Sequence, residues 1–199
     1  MKIIGVTGPS GSGKTAFTRY FYSIGIPTVD ADKVYHSLLI PPSRCLDAIR
    51  EKFGDGVFLP DGRLDRTALG AIVFNDAEKL NILNATVLGI VLDKIREFIT
   101  DIEKDNFPAV IIDAPTLIES GFNKECDIVI SVIAPKGDRI MRISERDGIS
   151  EEKATERVNA QMNDEFYISN SDLVLLNDAS EDDFLIKTKK LASDLGFNR

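Results

Sequence analysis

The feature that most constrains this chain is a glycine-rich loop that follows a short apolar run near its start. The loop spans residues 8–15 and reads GPSGSGKT, which fits the phosphate-loop pattern G-x-x-x-x-G-K-[ST] at every required position. The apolar run Ile3–Val6 before it predicts a buried strand, and the residues after Thr15 predict a helix. This order favours a phosphate-binding loop over a glycine-rich turn that merely joins two elements. We therefore expect the chain to bind a nucleoside triphosphate.

The chemistry of such a loop gives most of its residues a predicted role. Glycines let the backbone curl so that several N–H groups point at phosphate oxygens, and the positive end of the following helix adds attraction. Lys14 is expected to reach the β- and γ-phosphates, and the Thr15 hydroxyl is expected to hold Mg²⁺. The residues predicted to bind the nucleotide here are Gly8, Ser10, Gly11, Ser12, Gly13, Lys14, Thr15 and Ala16.

Composition favours one globular domain over residues 1–199. The chain has 32 acidic and 24 basic residues and a net charge of −8, which disfavours a large nucleic-acid or anionic-membrane surface. Cys45 and Cys126 lie far apart and lack metal-ligand spacing, as expected of reduced thiols in a cytosolic protein. No signal peptide or membrane-spanning run is evident. We expect a cytoplasmic protein, a monomer or small homo-oligomer, without nucleic-acid or membrane partners.

Four further apolar runs predict strands, and they are Thr28–Val29, Ala109–Asp113, Ile128–Ile133 and Leu173–Leu176. Five strands that alternate with helices predict an α/β fold, a P-loop three-layer α/β/α sandwich around a five-stranded parallel sheet. Asp113 ends its strand in the Walker B manner, and its carboxylate suits a magnesium shell beside Thr15. Ala114 follows Asp113, where an ATPase motor would normally have a glutamate, so hydrolysis is not the expected reaction.

Two carboxylates, Asp30 and Asp32, follow the second strand at the predicted start of a helix. Both can serve the helix alone, Asp30 as its cap and Asp32 as an acidic residue in its first turn. A parallel sheet, however, binds its ligands at the carboxyl ends of its strands. Asp32 is therefore also expected to orient a substrate hydroxyl for phosphoryl transfer, whereas Asp30 stays open between the two interpretations.

Two helical segments are expected to cover the site. Residues of about 40–106 lack a core strand and predict an inserted helical acceptor lobe that closes over a second substrate. Residues of about 139–165, here called the lid segment, include Arg142 and Arg146 on one helix face. Arginine suits the clamping of a transferring phosphoryl group, although solvated arginines remain the alternative. Glu119 either lines the acceptor pocket or is an ordinary loop carboxylate.

Taken together, these motifs resemble those of the dephospho-coenzyme A kinases over nearly the whole chain. The resemblance rests on four patterns that are much more specific than a phosphate loop. They are D-A-D at 30–32 with His36 after it, D-G-x-x-D-R at 61–66, D-x-P-x-x-x-E at 113–119 and R-x-x-x-R-D-G at 142–148. The later matches also include Arg157, Gln161 and Asn177.

The resemblance implies ATP- and Mg²⁺-dependent phosphorylation of the ribose 3′-hydroxyl of dephospho-coenzyme A. By position, Asp32 would take or orient that hydroxyl, while Lys14 would stabilise charge on the transferred group. Arg142 and Arg146 would close from the lid segment, and Asn177 would lie near the adenine. The residues implied on the acceptor side are Asp32, His36, Arg66 and Glu119.

The acceptor half departs from the family pattern. Leu88 and Gly89 stand where the family usually has His-Pro, so a polar, ring-stiffened element is missing. Two alternatives therefore stay open. One is a related P-loop kinase for another small hydroxyl or nucleotide acceptor, and the other is a nucleotide-dependent regulatory protein without useful turnover. The presence of Asp32, Lys14 and the two lid arginines argues against the regulatory protein.

Overall fold

The computed structural model describes residues 1–197 and contains the expected alternation of strands and helices. The strands are β1 (Lys2–Thr7), β2 (Thr28–Asp30), β3 (Ala109–Asp113), β4 (Ile128–Ile133) and β5 (Leu173–Leu176). The first helices are α1 (Lys14–Ser23), α2 (Ala31–Ser37), α3 (Arg44–Phe53), α4 (Arg66–Val73) and α5 (Ala77–Lys104). The later ones are α6 (Lys136–Asp147), α7 (Glu151–Asn159), α8 (Asp164–Ser169) and α9 (Glu181–Asp194).

The strands form one sheet in the order β2-β3-β1-β4-β5. The pairings of β1 with β3 and β4, and of β4 with β5, are parallel. Ile4 lies at the centre, where it pairs with Ile111 of β3 and Ile128 of β4. A parallel sheet covered on both faces requires nearly continuous apolar strands, which is why the sequence pattern reveals it. The predicted α/β fold with a five-stranded sheet is confirmed.

Apolar side chains of the sheet and its helices form the main core. Ile4, Ile111 and Ile130 are fully buried. Phe17 and Phe21 of α1 pack against this cluster with their ring centroids 4.7 Å apart. Full burial of side chains of this size contributes about 1.5–3 kcal/mol each. This packing fixes β1 and α1, and with them both ends of the phosphate loop.

The chain divides into two compact units. The first comprises Met1–Val29 together with the chain from Ile102 onward, and the second is Asp30–Asp101. Each has its own apolar cluster; that of the second unit consists of Cys45, Ile49, Val57, Leu69 and Val73. That the second unit contains an acceptor lobe within a single kinase domain stays a prediction.

Local capping explains where helices of the second unit begin. Asp30 accepts a hydrogen bond of 3.0 Å from the N–H of Lys33 and so caps α2. Asp65 accepts bonds of 3.0 Å from the N–H groups of Thr67 and Ala68 at the start of α4. Such caps satisfy N–H groups that a helix cannot satisfy internally, and each stabilises its helix by about 1 kcal/mol.

Both cysteines are free thiols, and Cys45 is buried. Burial raises the pKa of the Cys126 thiol to about 12, and the nearby carboxylates Glu125 and Asp127 add to the shift. A thiol with so high a pKa is not a nucleophile at neutral pH. Over residues 1–197, the helices include none of the length and apolar character that crossing a membrane requires.

Candidate active site

The loop between β1 and α1 adopts a backbone that only glycine tolerates at several positions. Gly8, Gly11 and Gly13 have φ angles of 132°, 78° and 108°. A Cβ atom on Gly13 would lie 2.3 Å from Nδ2 of Asn177, and one on Gly8 would lie 2.2 Å from the carbonyl oxygen of Val132. The glycines therefore allow both the curl of the loop and its close packing against β4 and the residue after β5.

Gly13→Ala is expected to lower the free energy of unfolding by about 2 kcal/mol, because the new side chain meets Asn177 and the φ angle is unfavourable for alanine. Urea denaturation followed by circular dichroism measures this change. Gly89→Ala is the matched control, since Gly89 lies within α5 and a Cβ there meets no atom within 4 Å. The control should be unchanged or up to about 1 kcal/mol more stable. Equal stability of the two variants would contradict the strain at Gly13.

Lys14 lies against its own loop. Its Nζ donates hydrogen bonds to the carbonyl oxygens of Gly8, at 2.6 Å, and Pro9, at 3.1 Å. The ammonium group thus neutralises carbonyl dipoles at the start of the loop. It also places a positive charge where the pattern expects the β- and γ-phosphates to bind.

Two side chains hold the middle of the loop by its carbonyl oxygens. Asn177, which is buried, donates from Nδ2 to the carbonyl of Ser12 at 2.8 Å. Arg142 donates to the carbonyl of Gly11 at 3.1 Å and approaches Oδ1 of Asn177 at 3.5 Å. Because a trans peptide points its C=O and the following N–H in opposite directions, the N–H of Gly13 points away from Asn177. The N–H groups of Ser12 and Gly13 are therefore directed away from Arg142 and Asn177, respectively.

A buried hydroxyl in the same loop is consistent with an anion site. Ser12 is fully buried, and its Oγ makes no hydrogen bond within residues 1–197. A buried polar atom without a partner is costly unless a ligand or water satisfies it. With the glycine curl and the Lys14 ammonium, it makes the loop chemically suited to a polyphosphate.

The other lid arginine has different contacts. Arg146 makes a two-pronged pair with Asp147, at 2.7 Å from Nε and 2.9 Å from a terminal nitrogen. Arg157 of α7 also donates to Asp147, so this carboxylate links α6 and α7. The hydrogen bonds from Arg146 hold the pKa of Asp147 below its usual range. Arg142 thus contacts the loop, whereas these contacts of Arg146 lie within the lid segment.

Arg139 differs from an ordinary solvated lid arginine. It is only 5% exposed and pairs with Asp164 of α8 at 3.3 Å. Its backbone packs against the loop, since a Cβ on Gly11 would lie 2.7 Å from the Arg139 carbonyl oxygen. The backbone of Arg139 thus packs beside Gly11 of the loop. The helical spacing of the sequence does not predict this burial.

The predicted metal ligands are both in the first unit. Asp113 ends β3 directly opposite Val6 of β1, two residues before the loop begins at Gly8. Thr15 lies in the first turn of α1 and is exposed. A hydroxyl and a carboxylate are hard oxygen ligands of the type that Mg²⁺ takes together with phosphate oxygens.

Glu119 is exposed in the segment after β3. Its role stays a prediction.

The predicted acceptor residues belong to the second unit. Asp32 is exposed in the first turn of α2, and His36 is exposed in its last turn with its ring centroid 5.4 Å from that of Tyr35. Arg66 is exposed at the first residue of α4.

Leu88 and Gly89 lie exposed in the middle of α5, whose 28 residues run without a break. The roles assigned to the acceptor residues stay predictions.

One contact to the loop is not suggested by the sequence. Gln161, two residues after α7, accepts a hydrogen bond at Oε1 from the N–H of Ser10 at 3.0 Å. The two residues are 151 positions apart. The resemblance included Gln161 among the matching positions but gave it no role, so only the folded structure reveals this contact.

A glycine-rich phosphate loop that follows the central strand of a parallel sheet, with a carbonyl held by an arginine of α6, is typical of a P-loop kinase. A family model described as Dephospho-CoA kinase matches residues 2–183. The chain therefore belongs to the dephospho-CoA kinase family.

Curated relatives and solved structures agree with this assignment. The chain is 36% identical over 182 residues to a dephospho-CoA kinase of Symbiobacterium thermophilum, covering 92% of this chain and 76% of that one. The chain is also 32% identical to a Dehalococcoides mccartyi dephospho-CoA kinase, in an alignment that covers 98% of each chain. The structure of a Campylobacter jejuni dephospho-CoA kinase has a TM-score of 0.72 at 29% identity, covering 98% of both chains. An Acinetobacter baumannii shikimate kinase shares the fold alone. Its structure has a TM-score of 0.53 at 16% identity, covering 98% of this chain and 94% of that one.

Proposed function

We propose that this enzyme transfers the γ-phosphoryl group of ATP to the ribose 3′-hydroxyl of dephospho-coenzyme A, giving coenzyme A and ADP. The observation that most supports the nucleotide half is the loop itself, whose carbonyls are held by Arg142 and Asn177. Membership of the dephospho-CoA kinase family supports the acceptor half. The same reaction would be the last step of coenzyme A synthesis.

The phosphate loop would bind the polyphosphate of ATP through its N–H groups and the N-terminus of α1. Lys14 would neutralise charge that develops on the oxygens of the transferred group. Its hydrogen bonds to the Gly8 and Pro9 carbonyls, which keep the ammonium group beside the loop, support this role. Phosphoryl transfer depends mainly on such positioning and electrostatic stabilisation. Asn177 would lie beside the nucleotide, where its contact with Ser12 couples it to the loop.

Thr15 and Asp113 would hold Mg²⁺, which would supply positive charge to offset the negative charge of the phosphates. On the acceptor side, Asp32 would accept or orient the proton of the attacking hydroxyl. His36, Arg66 and Glu119 would line the acceptor site. These assignments follow from the positions of the residues in the family motifs.

The lid arginines would supply further positive charge. Arg142 already contacts the loop at Gly11, whereas Arg146 would need to exchange Asp147 for a phosphate oxygen. Arginine presents a rigid fork of donors to either partner, so this exchange preserves its hydrogen bonding. We further propose a cytoplasmic enzyme, a monomer or small homo-oligomer, that acts on small molecules and does not bind nucleic acid.

The decisive experiment measures ADP release from Mg-ATP with and without dephospho-coenzyme A, and identifies the product by mass. ADP release that depends on dephospho-coenzyme A, with coenzyme A as the product, is the expected result. ATP binding without any transfer to this acceptor would contradict the proposal.

A second candidate function is transfer to a different small hydroxyl or nucleotide. The observation that favours it is the exposed Leu88-Gly89 segment of α5, where the family usually has His-Pro. Assaying nucleosides and small alcohols as acceptors tests it. Faster turnover with one of them than with dephospho-coenzyme A would support this candidate.

A further inference from the structure

The side chain of Gln161 contacts the phosphate loop at a peptide that also accepts a hydrogen bond from Lys14. Its Oε1 accepts the N–H of Ser10 at 3.0 Å. The peptide that contains this N–H begins with the carbonyl of Pro9. That carbonyl accepts from Lys14 Nζ at 3.1 Å and from the N–H of Ser12 at 3.3 Å.

The planar geometry of a trans peptide couples the contact of Gln161 to the contact of Lys14. The C=O and the N–H of a planar trans peptide point in opposite directions, so a bond that fixes one also fixes the other. When Gln161 holds the Ser10 N–H on one side, the Pro9 oxygen is directed to the opposite side, towards Lys14. The peptide is thus fixed at both ends by hydrogen bonds.

Gln161 is itself held by a packed part of the lid segment. Its N–H donates to the carbonyl of Val158 at 3.3 Å. Val158 packs with Ala154 and Ile143 in a small buried cluster that joins α7 to α6. Because Arg142 of α6 contacts the carbonyl of Gly11, the lid segment holds two successive loop residues, Ser10 and Gly11.

The chemical type of the side chain is also informative. A glutamine oxygen accepts a hydrogen bond without carrying a charge. A carboxylate in the same place would add a negative charge beside a loop that is to bind a polyphosphate, and like charges repel more strongly when partly buried. Glutamine therefore provides the acceptor without weakening the anion site.

We propose that Gln161 is a positioning residue, which orients the Pro9–Ser10 peptide and through it the phosphate loop and Lys14 for ATP. The inference rests on the proposed function in one respect, namely that this loop binds ATP. Gln161 acts through the backbone of the loop and does not itself need to touch the nucleotide.

The test substitutes Gln161→Met, which keeps the length of the side chain but removes the strong acceptor. We expect the Kd for ATP, measured by calorimetry without any acceptor, to rise about fivefold. The KM for ATP should rise by a similar factor, while the KM for dephospho-coenzyme A stays unchanged. An ATP Kd that is unchanged or lower in Gln161→Met would overturn the proposal.

Amide hydrogen exchange at Ser10, measured by NMR on the ligand-free protein, reports the contact directly. Exchange should accelerate in Gln161→Met and stay slow in Gln161→Glu, since the carboxylate retains an acceptor oxygen. Fast exchange in both variants would overturn the proposal. A lid residue that merely stabilises the fold would not produce this difference between the two substitutions.

Asn159→Ala provides the matched control within the lid segment. Asn159 accepts from Lys136 Nζ at 2.6 Å, so its replacement removes a hydrogen bond between the lid segment and the first residue of α6, and this bond does not involve the loop. ATP affinity should be unchanged, and an equal loss in Asn159→Ala would overturn the specific role of Gln161. These binding readouts need no acceptor, so a failure to form coenzyme A would reject the proposed function while leaving this inference intact.

Discussion

Lys14→Ala is expected to lower kcat/KM for phosphoryl transfer by about a thousandfold while leaving the protein folded. The ammonium group lies at 2.6 Å from the Gly8 carbonyl, within the loop that the polyphosphate would occupy. Alanine cannot stabilise negative charge that develops on the transferred group. Since alanine is the best helix former and Lys14 begins α1, the helix itself should persist.

A coupled assay of ADP release measures the loss, and circular dichroism with thermal melting checks that the variant is folded. Lys190→Ala is a suitable control, because Lys190 is an exposed lysine of α9 in the same unit. The control should keep its activity. Near-normal turnover by a folded Lys14→Ala protein would show that Lys14 does not stabilise the transfer.

The sheet and the phosphate loop could be predicted because their signals are local in sequence. A strand such as Ile128–Ile133 is apolar at nearly every residue, since both of its faces are buried. Gly8 and Gly13 have positive φ angles, which residues other than glycine rarely adopt. The loop therefore leaves a fixed pattern of glycines that can be recognised in the sequence. The sheet order β2-β3-β1-β4-β5, by contrast, is a matter of long-range pairing that the alternation of strands and helices does not determine.

The contacts that complete the loop could not be predicted, because each joins distant parts of the chain. Asn177 is 165 residues from Ser12, and Arg142 is 131 residues from Gly11. The spacing of Arg139 along its helix is the same whether its side chain is solvated or, as found, buried and paired with Asp164. Only the tertiary contact of α6 with α8 distinguishes these outcomes. The division at Asp30 and Asp101 likewise depends on three-dimensional contacts, not on a linker composition.

Asp32→Asn is the second substitution with a large expected effect, a fall in kcat of about a thousandfold with little change in stability. Asparagine has nearly the same shape as aspartate but cannot accept the proton of the attacking hydroxyl. Asp32 is exposed in the first turn of α2, and the cap of that helix is provided by Asp30. The loss of one acidic residue near a helix N-terminus costs less than about 1 kcal/mol, so the variant should fold.

Asp30→Asn separates the chemical role of one carboxylate from the structural role of the other. Asparagine caps a helix as well as aspartate does, so the bond to the Lys33 N–H is expected to persist and activity should remain. Turnover of both variants with dephospho-coenzyme A, together with their melting temperatures, decides between the two positions. If folded Asp32→Asn keeps near-normal kcat while Asp30→Asn loses it, the proton acceptor is Asp30. If both variants keep kcat, neither carboxylate takes the proton, and catalysis relies on the positive groups around the phosphates.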